Sequence, residues 1–460
     1  MNSTAEVAAD LAAFGYEQEL KRSLSLKDLL VYGLVFIIPT APIATFGIVF
    51  NVSHGMVPLV YAVGLVAMVF TALSYMAMSR EFPIAGSVYA YAARSLGSLP
   101  GFVAGWAILL DYLFIPTLVY VACAIAMHSA LPTIPKPFWI IGLLTAATLI
   151  NYFGIETTAR MTFILLSFQL LMLSIVVGFE LNALAHHVVG AHFSWTPLFN
   201  PSEFTPALIF GGIAVATGAF LGFDAVSTLA EEARGDPGSV GRATILSLCL
   251  TGLLFVAQSW LASLFVLDRT HFPPGEATDA AFYGIVATIG GYWLKFYVAI
   301  SKVLFASFAC AIAAQAATTR LLFSMARDGK LPHWLARVNP KHKVPSVALI
   351  LVAVITLVLG ISLVNSLQLL ASMVSFGALL GFMLLHVSVV AHFVWQQKSR
   401  DWLKHLVVPA IGFVITAYVL LNVQTNAKIA GTCWLLAGLA LFITLRLWHR
   451  RPRAGFSSPA

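Results

Sequence analysis

Charged residues are scarce in this sequence. Only 10% of its 460 residues are Asp, Glu, Lys or Arg, whereas 60% are hydrophobic; soluble domains contain about 25% charged residues. No polar linker divides the chain, although a soluble protein of this length would consist of several domains. The composition therefore excludes soluble enzymes and nucleic-acid-binding proteins.

Several motifs are also absent. The four cysteines form no CxxC pair and lie in apolar stretches, which excludes a disulfide scaffold and predicts small buried side chains. The 12 histidines lack metal-ligand spacing, so no metal or cofactor is expected. The stretch up to Lys27 has no signal-peptide core, and there is no phosphate-binding Walker loop, so ATP is not the expected energy source.

Long apolar runs are abundant instead. A run of about 20 residues crosses a hydrocarbon core of about 30 Å as a helix. The sequence therefore predicts an all-α polytopic protein with the lipid bilayer as its partner. Twelve transmembrane helices are predicted, at residues 29–52, 56–79, 101–128, 137–152, 160–184, 206–230, 242–267, 293–319, 345–362, 366–394, 405–423 and 428–448.

The basic residues predict the orientation. Twelve spans place both termini on one side, and the segments on the opposite side contain only Lys136, Arg269 and Lys428 of the Lys and Arg residues. Positive charge collects in cytoplasmic loops. We therefore expect a multi-pass protein of the inner membrane, with a cytoplasmic N-terminal segment (1–28) and a cytoplasmic tail (449–460). This orientation also accounts for the net charge of +7.

Two spans contain residues that interrupt helices. The first span has Pro39 and Pro42 at mid-membrane, and the sixth has Gly218 and Gly222 followed by Asp224. Unwound backbone persists at membrane depth only where protein buries it or a cavity surrounds it. Breaks at corresponding places in two halves are typical of a transporter's central site. We expect helices 1 and 6 to be unwound there, although prolines that merely kink a packed helix are the alternative.

Four segments carry a family resemblance. Residues 81–91 (EFPIAGSVYAY) and 320–332 (RLLFSMARDGKLP) resemble loops of the amino acid–polyamine–organocation (APC) superfamily of permeases. Within that superfamily, residues 109–113 and 220–232 are most similar to bacterial putrescine importers.

The resemblance implies a permease domain over 29–448 with a LeuT-like fold. Two inverted five-helix repeats, about 29–184 and 206–394, would precede two extra C-terminal helices at about 405–448. It further implies a substrate bound at mid-membrane and transport by alternating access, with protons as the coupling ion, in a monomer or homodimer.

One position departs from the putrescine importers. Their first helix carries an aspartate at the place of Ala44, three residues before the glycine that matches Gly47. Each ammonium group of a diamine needs an anionic or carbonyl partner. We therefore predict a secondary active transporter that imports an amino acid or a small amine. The alternatives are a dedicated putrescine or polyamine:proton symporter, an exchanger, a channel or an intramembrane enzyme.

Two acids are the expected coupling or gating residues. An ionised carboxylate at the bilayer centre costs at least about 3 kcal/mol, so Asp224 needs a partner or a proton. It is predicted to bind the substrate amine or carry the coupled proton. Glu231, with its neighbour Glu232 at the cytoplasmic end of the sixth helix, is predicted to close a cytoplasmic gate with Arg320 or Arg94; a solvated acidic helix end is the alternative.

The remaining candidates are expected to line the substrate site. The first break would offer free backbone groups, the aromatic rings would stack on a cation or close the site, and the hydroxyl groups would bond a polar substrate. These residues are Ile38, Thr40, Ala41, Tyr112, Phe220, Phe223 and Ser375.

Three further expectations concern neighbouring positions. Asp111, about 100° from Tyr112 around the third helix, is not expected to share its face. Lys302 is expected to extend toward the headgroups, or else to face the outer vestibule. Residues 267–290 are expected to form a lid over that vestibule.

Overall fold

A computed structural model describes residues 11–12, 14–131 and 133–450. Within these ranges the chain is helical, and β-pairing is limited to one isolated bridge between Leu24 and Ala233. Much of the predicted N-terminal segment is described, but residues 1–10 and nearly all of the predicted tail (449–460) lie outside these ranges.

Sixteen α-helices are used below, several of them continued by 3-10 or π turns. They are α1 Leu26–Ile37, α2 Pro42–Ser53, α3 Val57–Glu81, α4 Val88–Ser95, α5 Ser98–Ala130, α6 Lys136–Tyr152, α7 Ile155–Ala185, α8 Pro206–Phe220, α9 Ser239–Ser263, α10 Glu276–Asp279, α11 Ala281–Ser301, α12 Phe308–Arg327, α13 Ser346–Ser362, α14 Leu367–Val389, α15 Val408–Leu421 and α16 Thr425–Arg450.

Most of these helices suit a bilayer. When helices are joined with the 3-10 and π turns that continue them, nine in the described part of the chain are long and apolar enough to cross a membrane, and α1 with α2 makes a tenth if that bent pair is one span. The all-helical polytopic prediction is thereby confirmed. Each of the twelve predicted spans coincides with a helix or helix pair, but α6 and α13 have only 17 residues each, so the number twelve stays a prediction.

The first break separates α1 from α2, which are bent by 53°. Pro39 disfavours helical backbone at Ile38, which adopts φ 61° and ψ 93°. Helix α2 then starts at Pro42, because the first helical position needs no amide hydrogen. Gln258 Nε2 on α9 donates to the Pro39 carbonyl oxygen at 2.9 Å, so one carbonyl freed by the break is satisfied by a side chain.

The second break follows α8. Leu221 is extended, Gly222 is left-handed with φ 110°, and residues Phe223–Glu232 continue as a 3-10 helix. A Cβ atom at Gly222 would overlap the ring of Phe36 on α1, so only glycine fits there. The two breaks therefore lie against each other in the interior.

The segment predicted as a lid packs on α2. The backbone of Phe272 exchanges two hydrogen bonds with the side chain of Asn51, at 2.6 and 3.0 Å. A Cβ at Gly47 would overlap the carbonyl of Thr278, so α10 lies directly on α2. The segment therefore covers the half of the first span that follows its break.

The prediction that all four cysteines are buried is only partly correct. Cys123 and Cys310 are buried, as predicted, whereas Cys249 is half-buried and Cys433 is exposed. The prediction was wrong for Cys433 because an apolar helix in a membrane protein can present a small side chain outward as readily as inward.

Candidate functional site

Asp224 lies in the first turn of the 3-10 helix, immediately after the second break, and is fully buried. Its Oδ2 atom accepts hydrogen bonds from the hydroxyl groups of Tyr112 at 2.6 Å and Tyr75 at 3.5 Å. Within the part of the chain that the structure describes, its Oδ1 atom has no hydrogen-bond partner. A buried acceptor left open in this way is free to bind a donor that enters the site.

Ser87 joins these groups. Its Oγ atom lies 3.3 Å from the Tyr112 hydroxyl and donates to the Tyr75 hydroxyl at 3.4 Å. We call Tyr75, Ser87, Tyr112 and Asp224 the central polar cluster. The sequence prediction included Tyr112 and Asp224 but missed Tyr75 and Ser87, although Ser87 lies in the motif 81–91.

The two predicted aromatic residues lie in different places. Phe223 packs edge-on against Tyr75, with ring centroids 6.0 Å apart, and so borders the central polar cluster. Phe220 packs against Tyr61 at 6.2 Å and Phe255 at 5.1 Å. Phe223 therefore packs directly on a residue of the cluster, as Phe382 also does at 5.9 Å from Tyr75, while Phe220 belongs to a separate aromatic group.

The backbone of the first break is only partly free. The Ala41 amide donates to the Ile38 carbonyl at 2.8 Å, so a turn uses two of the groups predicted to be available. Thr40 is fully buried and its Oγ1 atom has no hydrogen-bond partner. The Phe36 ring lies 6.0 Å from the Tyr112 ring, which connects this break to the central polar cluster.

Ser375 is not part of the cluster. Its hydroxyl donates to the Ala371 carbonyl one turn earlier on α14, at 3.2 Å. The side chain does lie next to Gly218 on α8. The structure thus places Ser375 beside the sixth span, with its hydroxyl satisfied by its own helix.

The other end of the 3-10 helix carries two buried ion pairs. Glu231 binds Arg327 through two hydrogen bonds of 2.7 and 3.0 Å and accepts a third from the Ala85 amide at 2.9 Å. Glu232 binds Arg320, with Nη2 and Oε1 2.9 Å apart. The structure shows the predicted pairing with Arg320 for Glu232, whereas Glu231 binds Arg327 instead. The solvated alternative was wrong, because both carboxylates are fully buried.

The N-terminal segment covers these ion pairs. The Leu24 amide donates to the Glu232 carbonyl at 3.0 Å. Tyr16 donates to Asp328 Oδ1 at 2.7 Å and accepts from Arg94 at 3.0 Å, so Arg94 does not pair with Glu231. Burial and the Asp328 carboxylate raise the pKa of Tyr16, which keeps its phenol protonated and able to donate. This end of the molecule is therefore closed.

Asp111 precedes Tyr112 on α5. It is fully buried, and neither of its carboxylate oxygens has a hydrogen-bond partner among the described residues. The expectation that it does not share the helix face of Tyr112 stays a prediction.

Two other features lie apart from the cluster. Lys302 is half-buried at the start of a π-helical turn. A cavity of about 840 Å³ is bordered by Arg80, Arg242 and Lys404, and no predicted site residue contributes to it. In the ranges that the structure describes, no three His, Cys, Asp or Glu side chains are placed to hold a metal ion.

Comparison with known proteins assigns the family. The model of the family described as amino acid permease matches residues 29–439. The chain belongs to this family. It is therefore a membrane transporter, as the APC resemblance predicted, and not an enzyme.

Three relatives align with this permease over 83–96% of their own length. The low-affinity putrescine importer PlaP of Escherichia coli is 28% identical over 94% of this chain and 96% of its own. The branched-chain amino acid permease BcaP of Bacillus subtilis is 27% identical over 96% of each chain. A methylthioribose transporter of Bacillus subtilis is 26% identical over 83% of each. These relatives differ in substrate, so the family assignment does not identify the substrate of this permease.

Proposed function

We propose that this permease is a secondary active transporter that imports an amino acid or a small amine across the inner membrane. Transport proceeds by alternating access and is coupled to protons. The observation that carries the proposal is a fully buried carboxylate, Asp224, with one open oxygen beside two helix breaks that touch each other. An ammonium group binds such an oxygen strongly once water is excluded.

The proposed architecture has twelve spans in a LeuT-like arrangement, with both termini in the cytoplasm. Two inverted repeats of five helices each begin with a broken span, and two helices follow at the C-terminus. The contact between Phe36 on the first span and Gly222 on the sixth supports this arrangement, because inverted repeats bring their first helices together at the centre.

Asp224 serves both coupling and binding in this mechanism. A proton on Asp224 neutralises the site when it is empty, since an unpaired charge at this depth is costly. A cationic substrate supplies the same neutralisation when it is bound. Tyr112 holds the carboxylate in place through its 2.6 Å hydrogen bond, and Phe223 packs against Tyr75, the second hydroxyl donor to that carboxylate.

The buried ion pairs form the proposed cytoplasmic gate. Release of substrate to the cytoplasm requires the 3-10 helix to separate from α12, which breaks the pairs Glu231–Arg327 and Glu232–Arg320. The N-terminal segment must move with them, because it is bonded to the same helix end. Glu231 thus acts as a gate residue in this proposal, and Glu232 shares that role.

The test is uptake by the purified protein in proteoliposomes. Labelled branched-chain amino acids, 1,4-diaminobutane and methylthioribose are offered with and without an inward proton gradient. We expect saturable uptake of an amine-containing substrate that the gradient accelerates and a protonophore abolishes. Uptake that does not depend on the proton gradient but requires substrate inside the vesicles would indicate exchange. Non-saturating currents would indicate a channel and contradict the proposal.

A dedicated putrescine importer is the second candidate. The similarity to a putrescine importer of Escherichia coli over nearly the whole chain favours it. A diamine carries two separated positive charges, and burying each one requires its own anionic or carbonyl partner. This candidate therefore needs a second negative group near Asp224.

A further inference from the structure

The cavity of about 840 Å³ lies where three membrane-capable helices end or begin. Its wall contains the end of α3, the first turn of α9 and the π-helical turn Leu403–Val407 that precedes α15. The ends of spanning helices lie at the membrane surface. The cavity is therefore placed at the boundary between hydrocarbon and water, on the side predicted to be cytoplasmic. The proposed transport path uses none of its residues.

The wall of this cavity changes from apolar to charged along α3. Leu73, Met76 and Ala77 line it about 6–12 Å before the helix end, and Arg80 and Glu81 line it at that end. A phospholipid has the same order of polarity, with apolar chains below a charged headgroup. The volume lies within the range of about 300–1,000 Å³ that is typical of ligand sites, so a headgroup fits.

The charged side chains of the wall balance in sign. Three are basic and three are acidic, namely Arg80, Arg242, Lys404, Glu81, Asp236 and Asp401. Asp236 forms an ion pair with Arg242, and Lys404 Nζ donates to Asp401 Oδ2 at 2.8 Å. These two pairs are satisfied within the wall. Arg80 and Glu81 are the two whose charges remain available to a ligand.

Arg80 and Glu81 also retain hydrogen-bonding capacity. Among the described residues, the Arg80 guanidinium has neither a hydrogen-bond nor an ion-pair partner. Glu81 accepts through Oε1 from Gln397 at 2.7 Å, and the same atom lies 3.2 Å from His392 Nε2. A guanidinium binds a phosphate through parallel N–H donors, and a carboxylate accepts hydrogen bonds from an ammonium group. The two residues therefore offer one partner for each charge of a zwitterionic headgroup.

We propose that this cavity binds a phospholipid whose headgroup carries a phosphate and a primary ammonium group, as in phosphatidylethanolamine. The phosphate binds Arg80, the ammonium group binds Glu81, and the acyl chains lie along Leu73 and Ala77. An anionic headgroup would add a negative charge to a wall whose Lys, Arg, Asp and Glu charges already cancel. A trimethylated ammonium group has no hydrogen to donate to Glu81. This site is independent of the substrate that the permease transports.

The experiment measures lipid binding to the full-length protein in detergent by native mass spectrometry. The probes are three dioleoyl phospholipids with ethanolamine, choline or glycerol headgroups. We expect the ethanolamine lipid to bind about tenfold more tightly than either of the others, as one additional charge-assisted hydrogen bond would give. Equal affinity for all three lipids would overturn the inference. Equally tight binding of glycerophosphoethanolamine, which has the headgroup without acyl chains, would show a soluble ligand instead and would also overturn it.

Substitutions at the two charged residues test the assignment of the headgroup. Arg80→Gln should weaken binding of the ethanolamine lipid about tenfold. Glu81→Gln should remove the preference for ethanolamine over choline. Arg446→Gln is the matched control and should bind as the wild type does, since Arg446 is an exposed arginine near the end of α16 that does not line the cavity. Unchanged lipid binding in Arg80→Gln would overturn the inference.

Ala77→Phe tests the cavity itself and guards against a folding defect in the charge variants. The larger side chain fills the apolar part of the cavity while every charge of the wall is kept. We expect this variant to lose binding of the ethanolamine lipid. Binding with wild-type affinity and headgroup preference would place the lipid elsewhere on the protein and overturn the inference.

Discussion

The ten-residue 3-10 helix Phe223–Glu232 has acids at both ends in opposite situations. At its C-terminal end, Glu231 and Glu232 each form an ion pair with an arginine. At its N-terminal end, the Oδ1 atom of Asp224 has no hydrogen-bond partner among the described residues. All three carboxylates are fully buried, so burial alone does not separate a structural acid from a functional one. The difference lies in whether the protein supplies the counter-charge.

That contrast predicts different consequences for similar substitutions. An acid whose counter-charge comes from a ligand can be neutralised without harm to the fold but at the cost of transport. Neutralising an acid that is paired within the protein destabilises the fold, because removing one partner leaves the other buried and uncompensated. The predictions below test this distinction, beginning with the largest effect.

Asp224→Asn should reduce uptake of every substrate to the level of empty liposomes. The amide keeps the shape of the side chain but removes the charge that binds a cation and carries a proton. The thermal unfolding midpoint should stay about the same, since the amide oxygen can still accept the hydrogen bond from Tyr112. Asp268→Asn, which changes an exposed loop carboxylate, serves as the control. Uptake in Asp224→Asn that still responds to pH would remove Asp224 from the mechanism.

Arg320→Gln should destabilise the fold by about 3–5 kcal/mol, because Glu232 then remains buried without its partner. Thermal unfolding in detergent measures the change. The double variant Arg320→Met with Glu232→Leu should recover most of the loss, since both charges are removed together. Equal losses in the single and double variants would show that packing, and not the ion pair, stabilises this end.

The variant Gln258→Leu tests whether the hydrogen bond from Gln258 to the Pro39 carbonyl stabilises the first break. It leaves the Pro39 carbonyl without its 2.9 Å donor, and an unsatisfied buried acceptor costs about 1–3 kcal/mol. We expect a lower unfolding midpoint and weaker substrate binding. Gln424→Leu, at an exposed position, is the matched substitution. Identical behaviour of the two variants would mean that the break does not depend on Gln258.

Lys21→Ala should have the smallest effect. Lys21 pairs with Glu156 at 2.9 Å, but both side chains are more than half exposed. Exposed pairs of this kind contribute about 0–1 kcal/mol because water and salt screen them. If Lys21→Ala lowered the unfolding midpoint as much as Arg320→Gln, burial would not be what makes the Arg320–Glu232 pair more important for stability than the exposed Lys21–Glu156 pair.

The chain's hydropathy and its helix-breaking residues were sufficient to predict a polytopic helical protein with two interrupted spans. Pro39 and Gly222 act through local backbone sterics, which require no knowledge of the neighbouring helices. Asp224 could likewise be singled out, because a carboxylate in an apolar run is costly wherever the helix packs. Such properties belong to single segments and are readable from the sequence.

The partners of these residues were decided only by the packing of distant segments. Tyr75 is 149 residues from Asp224 along the chain, and Glu231 is 96 residues from Arg327. Helical periodicity could not identify which arginine each glutamate binds. Hydrogen bonding and charge pairing depend on separations of a few ångströms between helices, and only the tertiary structure sets those separations.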